Sequence, residues 1–126
     1  MRYLIVATIA VLLGAAPAAA QCRGTDRPIA MQLMLSAAPS TTLVAKPIRL
    51  CSRHDYRLEL KAGQRIELRL TSPSKQKGML TVFAPSGERP ADGADEWSAT
   101  LEESGEYKIE IGTDKTTTYT LRIVLH

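Results

Sequence analysis

Few residues in this sequence are placed for acid–base or nucleophilic chemistry. The chain contains two histidines, His54 and the terminal His126. His54 is followed directly by Asp55, but neighbouring residues on a strand point to opposite faces of a sheet, so this pair cannot form a proton relay by itself. Neither the context of a serine nucleophile elbow nor a cysteine–histidine pairing is present. We therefore expect a protein that binds a partner and is not an enzyme.

Three acidic residues, Asp92, Asp95 and Glu96, lie within a stretch of five residues and could bind calcium together with loop carbonyls. Their spacing differs from that of an EF-hand loop, and acidic residues are equally typical of an exposed loop, here residues 88–96. With two cysteines, the chain lacks the four-ligand set of a zinc ribbon. We expect no metal and no cofactor, and calcium at the acidic loop is the open alternative.

The first 20 residues have the features of a secretory signal peptide. A positive start at Arg2 precedes an apolar run over residues 4–14, and Ala18 and Ala20 match the small-residue preference of signal peptidase. The apolar run is too short for a permanent membrane helix, so an uncleaved anchor is the less favoured alternative. Cleavage after Ala20 removes 20 of the 126 residues and leaves a periplasmic or secreted chain of 106 residues.

The expected state of the two cysteines depends on whether the protein is exported. Cys22 and Cys51 are the only cysteines of the chain, and a disulfide between them is the expected state in an oxidising compartment. It would close a loop of about 30 residues and contribute roughly 3–4 kcal/mol by restricting the unfolded chain. Two free thiols with a redox role are the alternative, which the lack of a Cys-x-x-Cys motif disfavours.

Alternation of apolar and polar residues dominates the chain from residue 28 onward. The clearest cases are residues 56–61, 65–70 and 107–111, in which every second residue is apolar and most of the others are charged. A period of two is typical of strands with one face in the core. We therefore predict that residues 21–126 form a single all-β domain, an antiparallel β-sandwich of about eight strands, with a barrel as the alternative.

The charge of the chain is balanced overall but uneven along its length. A net charge of +3, from 16 basic and 13 acidic residues, is too small to indicate nucleic-acid binding. Residues 46–77 contain nine basic and three acidic residues, whereas residues 88–110 contain two basic and eight acidic ones. Such polarity could steer a partner or bind an anionic glycan. Ion pairs across a solvent-exposed sheet face are the interpretation that we favour.

Four motifs in a fixed order resemble the bacterial pre-peptidase C-terminal domain. They are Tyr-x-Leu-x-Leu-x-Ala-Gly-Gln-x-Ile-x-Leu from Tyr56, Leu-x-Val-x-Ala-Pro-x-Gly from Leu80, Leu-x-x-Ser-Gly-x-Tyr-x-Ile-x-Ile from Leu101, and Tyr-x-Leu-x-Ile from Tyr119. The resemblance spans residues 54–125 and implies a β-sandwich of jelly-roll type on an exported protein. Within that group, small stand-alone exported proteins resemble the periplasmic inhibitors of g-type and i-type lysozymes.

Those inhibitors share a Ser-Gly-x-Tyr element whose loop enters the lysozyme cleft, and Ser104-Gly105-Glu106-Tyr107 matches it. The resemblance implies that Ser104, Gly105 and Tyr107 bind the partner, with the Ser104 hydroxyl at the tip of a hairpin loop formed by residues 104–107. A glycosidase cleft holds a pair of carboxyl groups that such a hydroxyl could contact. A structural role is the alternative, with a positive-φ glycine in a tight turn and a tyrosine in the core.

The expected function is therefore inhibition of a lysozyme by insertion of the 104–107 loop into the glycosidase cleft. A general envelope module that binds a glycan or another protein is the alternative. Trp97 shares a face with Ala99 and Leu101, which favours a position in the core over stacking against a sugar.

Overall fold

The computed structural model describes most of the chain, namely residues 28–35, 38–75, 79–113 and 115–126. The predicted signal peptide, residues 1–20, lies outside the described residues, and its cleavage stays a prediction. Cys22 also lies outside them, so its pairing with Cys51 stays a prediction as well. Across the ranges that are described, no helix has the length and apolar character needed to cross a membrane.

The prediction of an all-β sandwich is confirmed, with nine strands in the described residues instead of about eight. They are β1 (Pro28–Gln32), β2 (Ser40–Ile48), β3 (Arg53–Leu60), β4 (Arg65–Thr71), β5 (Leu80–Phe83), β6 (Ala91–Ala94), β7 (Glu96–Thr100), β8 (Gly105–Gly112) and β9 (Thr117–Leu125).

The prediction of an exposed loop over residues 88–96 is wrong in its second half, because this segment contains β6 and the start of β7. Strand β6 pairs with β5 at the edge of its sheet, where Ala91 lies opposite Val82 and the register shifts at an irregularity. An edge strand needs only one neighbour, so its small and polar residues show no alternation that the sequence could reveal.

The strands form two sheets that face each other and do not close into a barrel. The first sheet has the order β1-β3-β8-β5-β6 and the second has the order β2-β9-β4-β7. Every described pairing is antiparallel except β1 with β3, which is parallel. The first sheet is therefore mixed, and only this pairing departs from the predicted antiparallel arrangement. The parallel pairing arises because β2 joins the other sheet, so the chain returns to β1 in the original direction.

The core lies between the inner faces of the two sheets, as the alternating residues predict. Inward side chains of the central strands β3, β4, β8 and β9 are almost completely buried, whereas most residues between them are half-buried or exposed. The largest buried side chains are Tyr56, Tyr119, Ile48, Leu58, Ile66, Leu80, Ile109, Ile111, Leu121, Ile123 and Val82. Burial of these apolar surfaces supplies the main driving force for folding.

The basic and acidic halves of the sequence meet on the outer faces as ion pairs. Arg57 on β3 lies 3.8 Å from Glu106 on β8, and Arg69 on β4 lies 3.2 Å from Glu96 on β7. Both pairs join the basic segment to the acidic one, because β3 pairs with β8 and β4 pairs with β7. These side chains are exposed, so each pair contributes little to stability.

A buried polar cluster interrupts the apolar core. His54 is 6% exposed, and its Nδ1 lies 2.7 Å from the hydroxyl oxygen of Tyr119, which in turn forms a hydrogen bond with the hydroxyl of Tyr56. Burial lowers the pKa of His54, and the positive charge of Lys46 lowers it further, while Asp55 partly opposes this shift. The folded protein therefore favours neutral His54, which suits a side chain enclosed with two tyrosines.

Protonation of His54 should destabilise the fold. Because the pKa of His54 is lower in the folded than in the unfolded state, the unfolded chain takes up the proton first as the pH falls. Above pH 6.5 the free energy of unfolding should include the full contribution of neutral His54. Below pH 6.5 it should decrease as the pH falls. Urea unfolding between pH 8 and about 5 measures this slope.

His54→Gln should reduce the pH dependence of stability in this window, since glutamine does not titrate. His126→Gln is the comparison variant, because it removes the other histidine of the chain, which is exposed and contacts Glu67 rather than the buried tyrosines. An identical slope in the wild type and in His54→Gln would assign the pH dependence to other groups.

Candidate partner-binding site

The residues singled out by the Ser-Gly-x-Tyr element lie where the chain crosses from one sheet to the other. Strand β7 belongs to the second sheet and β8 to the first, so residues 101–104, the inter-sheet segment, connect strands that do not pair. Gly105 to Tyr107 are the first residues of β8. The predicted hairpin over residues 104–107 is therefore wrong, because a hairpin requires two neighbouring strands of one sheet.

The inter-sheet segment is held by the turn that joins β3 to β4. The Gly63 amide donates to the Leu101 carbonyl at 2.8 Å, and the Leu101 amide donates to the Gln64 carbonyl at 2.8 Å. The Ala62 amide donates to the Ser104 hydroxyl oxygen, also at 2.8 Å. Three hydrogen bonds thus fix this segment, in which Glu102 and Ser104 are exposed while Leu101 is buried.

Ser104 keeps the capacity to donate a hydrogen bond. Its side chain is exposed, and its oxygen already accepts from the Ala62 amide. A hydroxyl has one donor hydrogen besides its acceptor lone pairs, so the hydrogen of Ser104 is available to an acceptor on a partner. A carboxylate oxygen is the acceptor that would make the strongest such bond.

Gly105 has the positive φ that its position after Ser104 predicts, with a value of 139°. A Cβ placed on it would lie 3.1 Å from Cγ and 3.2 Å from Cβ of Pro85. The residue must therefore be glycine for two reasons, its backbone conformation and the close approach of the turn after β5.

Tyr107 is 3% exposed and lies in the core, so it has almost no surface to offer a partner. Its hydroxyl donates to the backbone carbonyl of Glu103 at 2.8 Å. Burial raises the pKa of Tyr107, and the nearby charges of Glu103 and Glu102 add to the shift despite the hydrogen bond. Tyr107 is therefore a neutral hydrogen-bond donor that holds the inter-sheet segment from the core side, through the Glu103 carbonyl.

A cleft of about 250 Å³ opens beside the inter-sheet segment and carries negative charge; we name it the acidic cleft. Three carboxylates border it, from Glu88, Glu102 and Glu103, and Ser86 donates a hydrogen bond of 3.0 Å to the Glu103 carboxylate. Trp97 forms part of its wall and packs against the core while remaining partly exposed. The sequence contained no signal for this cleft, since its carboxylates come from two separate connections.

The three acidic residues considered for calcium do not converge on one site. Asp92 on β6 accepts a hydrogen bond from the Thr81 hydroxyl at 3.3 Å and lies 3.7 Å from Arg89. Glu96 on β7 belongs to the other sheet and pairs with Arg69. Among the described residues, no three acidic, histidine or cysteine side chains are grouped as metal ligands. The geometry thus gives the calcium alternative no support.

Comparison with known proteins gives similarity in structure but not in sequence. No known protein family and no curated protein matches the sequence. The structure is similar to PliG from Aeromonas hydrophila, a periplasmic inhibitor of g-type lysozyme. The TM-score is 0.67 at 18% identity, over 80% of this chain and 99% of PliG. The chain has the fold of this inhibitor.

Two further PliG structures are also similar. A mutant of the Escherichia coli protein has a TM-score of 0.56 at 18% identity, and the Salmonella Typhimurium protein has 0.57 at 15%. Each match covers 77% of this chain and 97% of the other protein. At these identities the similarity establishes a common fold and nothing finer.

Gly105→Ala should destabilise the protein more than Gly87→Ala. Both glycines have a positive φ, 139° and 90°, but a Cβ at Gly87 meets nothing within 4 Å, whereas one at Gly105 meets Pro85. We expect a loss of about 1 kcal/mol for Gly87→Ala and about 2–3 kcal/mol for Gly105→Ala in urea unfolding. Equal losses would show that Pro85 moves aside at no cost.

Proposed function

We propose that this protein is an exported, non-catalytic inhibitor of a lysozyme and that it binds the enzyme through the inter-sheet segment. The observation that carries this proposal is the exposed Ser104 hydroxyl. Its oxygen is held by the Ala62 amide, and its hydrogen is left to donate. The fold shared with the PliG inhibitors of g-type lysozyme supports the same function.

In this proposal Ser104 donates a hydrogen bond to a catalytic carboxylate in the lysozyme cleft. Glycosidases of this kind need a pair of carboxyl groups around the scissile bond, so occupying one of them blocks the substrate. Gly105 permits the close packing against Pro85, and Tyr107 holds the Glu103 carbonyl. Because these contacts already fix the segment, binding loses little conformational entropy.

The acidic cleft contributes charge to the same encounter. Glu102 and Glu103 would repel a catalytic carboxylate at close range, but they attract a partner whose surface around the cleft is basic. Long-range attraction of this kind raises the rate of association and is weakened by salt. The proposed partner is therefore a positively charged lysozyme of the g-type or i-type.

The remaining features of the proposal concern the whole chain. We propose a periplasmic or secreted protein with a single domain over residues 21–126, related to the pre-peptidase C-terminal group and stapled by a disulfide between Cys22 and Cys51. Cys51 precedes β3, whereas Ser104 lies beside the far end of that strand, roughly 25 Å away for eight extended residues. The disulfide would thus stabilise the end of the sandwich opposite the inter-sheet segment.

Ser104→Ala should weaken inhibition without unfolding the protein. The variant loses a hydrogen bond to a charged acceptor, for which we expect an increase in the inhibition constant of at least about tenfold. The Ala62 amide that it leaves is exposed and can bind water, so stability should fall by less than about 1 kcal/mol. Turbidity assays of cell lysis by g-type and i-type lysozymes measure inhibition.

Ser74→Ala is the matched control, since Ser74 is an exposed serine in the connection after β4 and lies outside the inter-sheet segment and both clefts. It should inhibit as the wild type does. Failure of the wild-type protein to slow lysis by either class of lysozyme at micromolar concentration would refute the proposed function. Equal inhibition by Ser104→Ala and the wild type would refute the role of the hydroxyl alone.

Glu102→Gln should slow association with the lysozyme at low salt. Removing one negative charge beside the inter-sheet segment should reduce the association rate constant about twofold at low salt and have little effect at high salt. Asp92→Asn removes the same charge from an exposed position on the edge strand β6, away from the inter-sheet segment, and serves as the control. Association is measured by stopped-flow fluorescence. Faster association of Glu102→Gln would mean that the acidic residues repel the partner.

A further inference from the structure

A second cleft, of about 320 Å³, lies on the second sheet where β4, β7 and β9 run side by side. We name it the arginine cleft, because Arg69 and Arg122 both line it. The two residues are direct cross-strand partners on β4 and β9. Like charges in this arrangement repel each other, so their placement needs a compensating negative charge.

Only one of the two arginines has such a charge within the described part of the chain. Arg69 donates a hydrogen bond of 3.2 Å to the carboxylate of Glu96. Arg122 is exposed and forms no ion pair with any described residue. The second sheet therefore presents one guanidinium group whose five donors are available to a ligand.

The other carboxylate of the arginine cleft does not neutralise Arg122. Glu67 lies 4.0 Å from Arg65 on its own strand and 3.4 Å from Nε2 of His126 at the chain end. The Glu67 carboxylate therefore contacts Arg65 and His126 and not the guanidinium group of Arg122. A negatively charged ligand would supply the missing partner, and a carboxylate fits the planar fork of arginine with two parallel hydrogen bonds.

The surroundings of Arg122 are amphipathic. Val124 and the partly exposed Trp97 line the arginine cleft together with Ser98, which offers a hydroxyl. On the other side of Arg122, its cross-strand partner Leu43 is 65% exposed. Apolar and aromatic surface beside a few polar groups is the usual lining of a site for a small organic ligand, and it suits the two-sided character of a sugar ring.

We propose that the arginine cleft binds a saccharide that carries a carboxylate. Arg122 pairs with the carboxylate, Ser98 contacts hydroxyl groups, and Val124 contacts the apolar face of the ring. The site is separate from Ser104, and it rests on an unpaired charge and a cleft rather than on the proposed inhibition of lysozyme. The same chemistry occurs in N-acetylmuramic acid whose lactyl carboxylate is free of the stem peptide and in a uronic acid.

Trp97 is the single tryptophan of the chain and borders the arginine cleft as well as the acidic cleft. Its fluorescence is used to follow binding, and the Arg122→Gln variant assigns the response to the arginine cleft. The purified protein is titrated with N-acetylmuramic acid, galacturonic acid and N-acetylglucosamine. We expect a saturable change with at least one of the two acidic sugars and at least about tenfold weaker binding of the neutral sugar. The stronger acidic sugar identifies the source of the ligand.

Arg122→Gln should weaken binding of the acidic sugar at least about tenfold. Arg57→Gln removes the same charge from the other sheet, where Arg57 pairs with Glu106, and should bind as the wild type does. Circular dichroism establishes that each variant is folded. If Arg122→Gln does not fold, Arg122→Lys is tested in its place. This variant should also bind the acidic sugar more weakly than the wild type, because lysine lacks the planar fork of arginine.

Three results would overturn the proposal. The first is no saturable response to either acidic sugar, and the second is equal affinity for the acidic and neutral sugars. The third is equal weakening by Arg122→Gln and Arg57→Gln, which would indicate attraction by the overall charge of the protein. None of these results bears on inhibition of lysozyme, which is measured separately through Ser104.

Discussion

The structure depends on the burial of one face of each sheet against the other. Four central strands, β3, β4, β8 and β9, contribute most of the buried side chains, and each has a period of two. Strands that follow one another in the sequence often belong to different sheets. The chain therefore crosses between the two sheets several times. The backbone amides and carbonyls of each connection between the sheets lie outside the strand pairing, so they need other hydrogen-bond partners.

The inter-sheet segment shows how the backbone groups of such a crossing are satisfied. Its backbone and the Ser104 oxygen are satisfied by the turn between β3 and β4, while the Glu103 carbonyl is satisfied from the core by Tyr107. The segment is therefore ordered by the same contacts that join the two sheets. A donor hydrogen remains on the outside, on a segment whose backbone is already held by these hydrogen bonds.

Strand β7 borders two clefts of opposite character, the acidic cleft and the arginine cleft, and Trp97 contributes to the wall of each. The uneven charge of the sequence is mostly cancelled across the sheets, as pairs such as Arg57 with Glu106 show. Within the described residues, what remains is local: carboxylates beside Ser104, and on the second sheet the guanidinium of Arg122, which forms no ion pair there. These residual charges, rather than the net charge of +3, define the surfaces that can select a partner.

The sequence by itself determined most of the strands, their buried faces and the positive φ of Gly105, because these features depend on periodicity and on local backbone sterics. It did not reveal β6, the parallel pairing of β1 or the true form of the segment around Ser104. Nor did it show that Arg122 lies beside Arg69. Only the tertiary structure decided these points, since alternation specifies which face of a strand is buried but not which strand lies next to it.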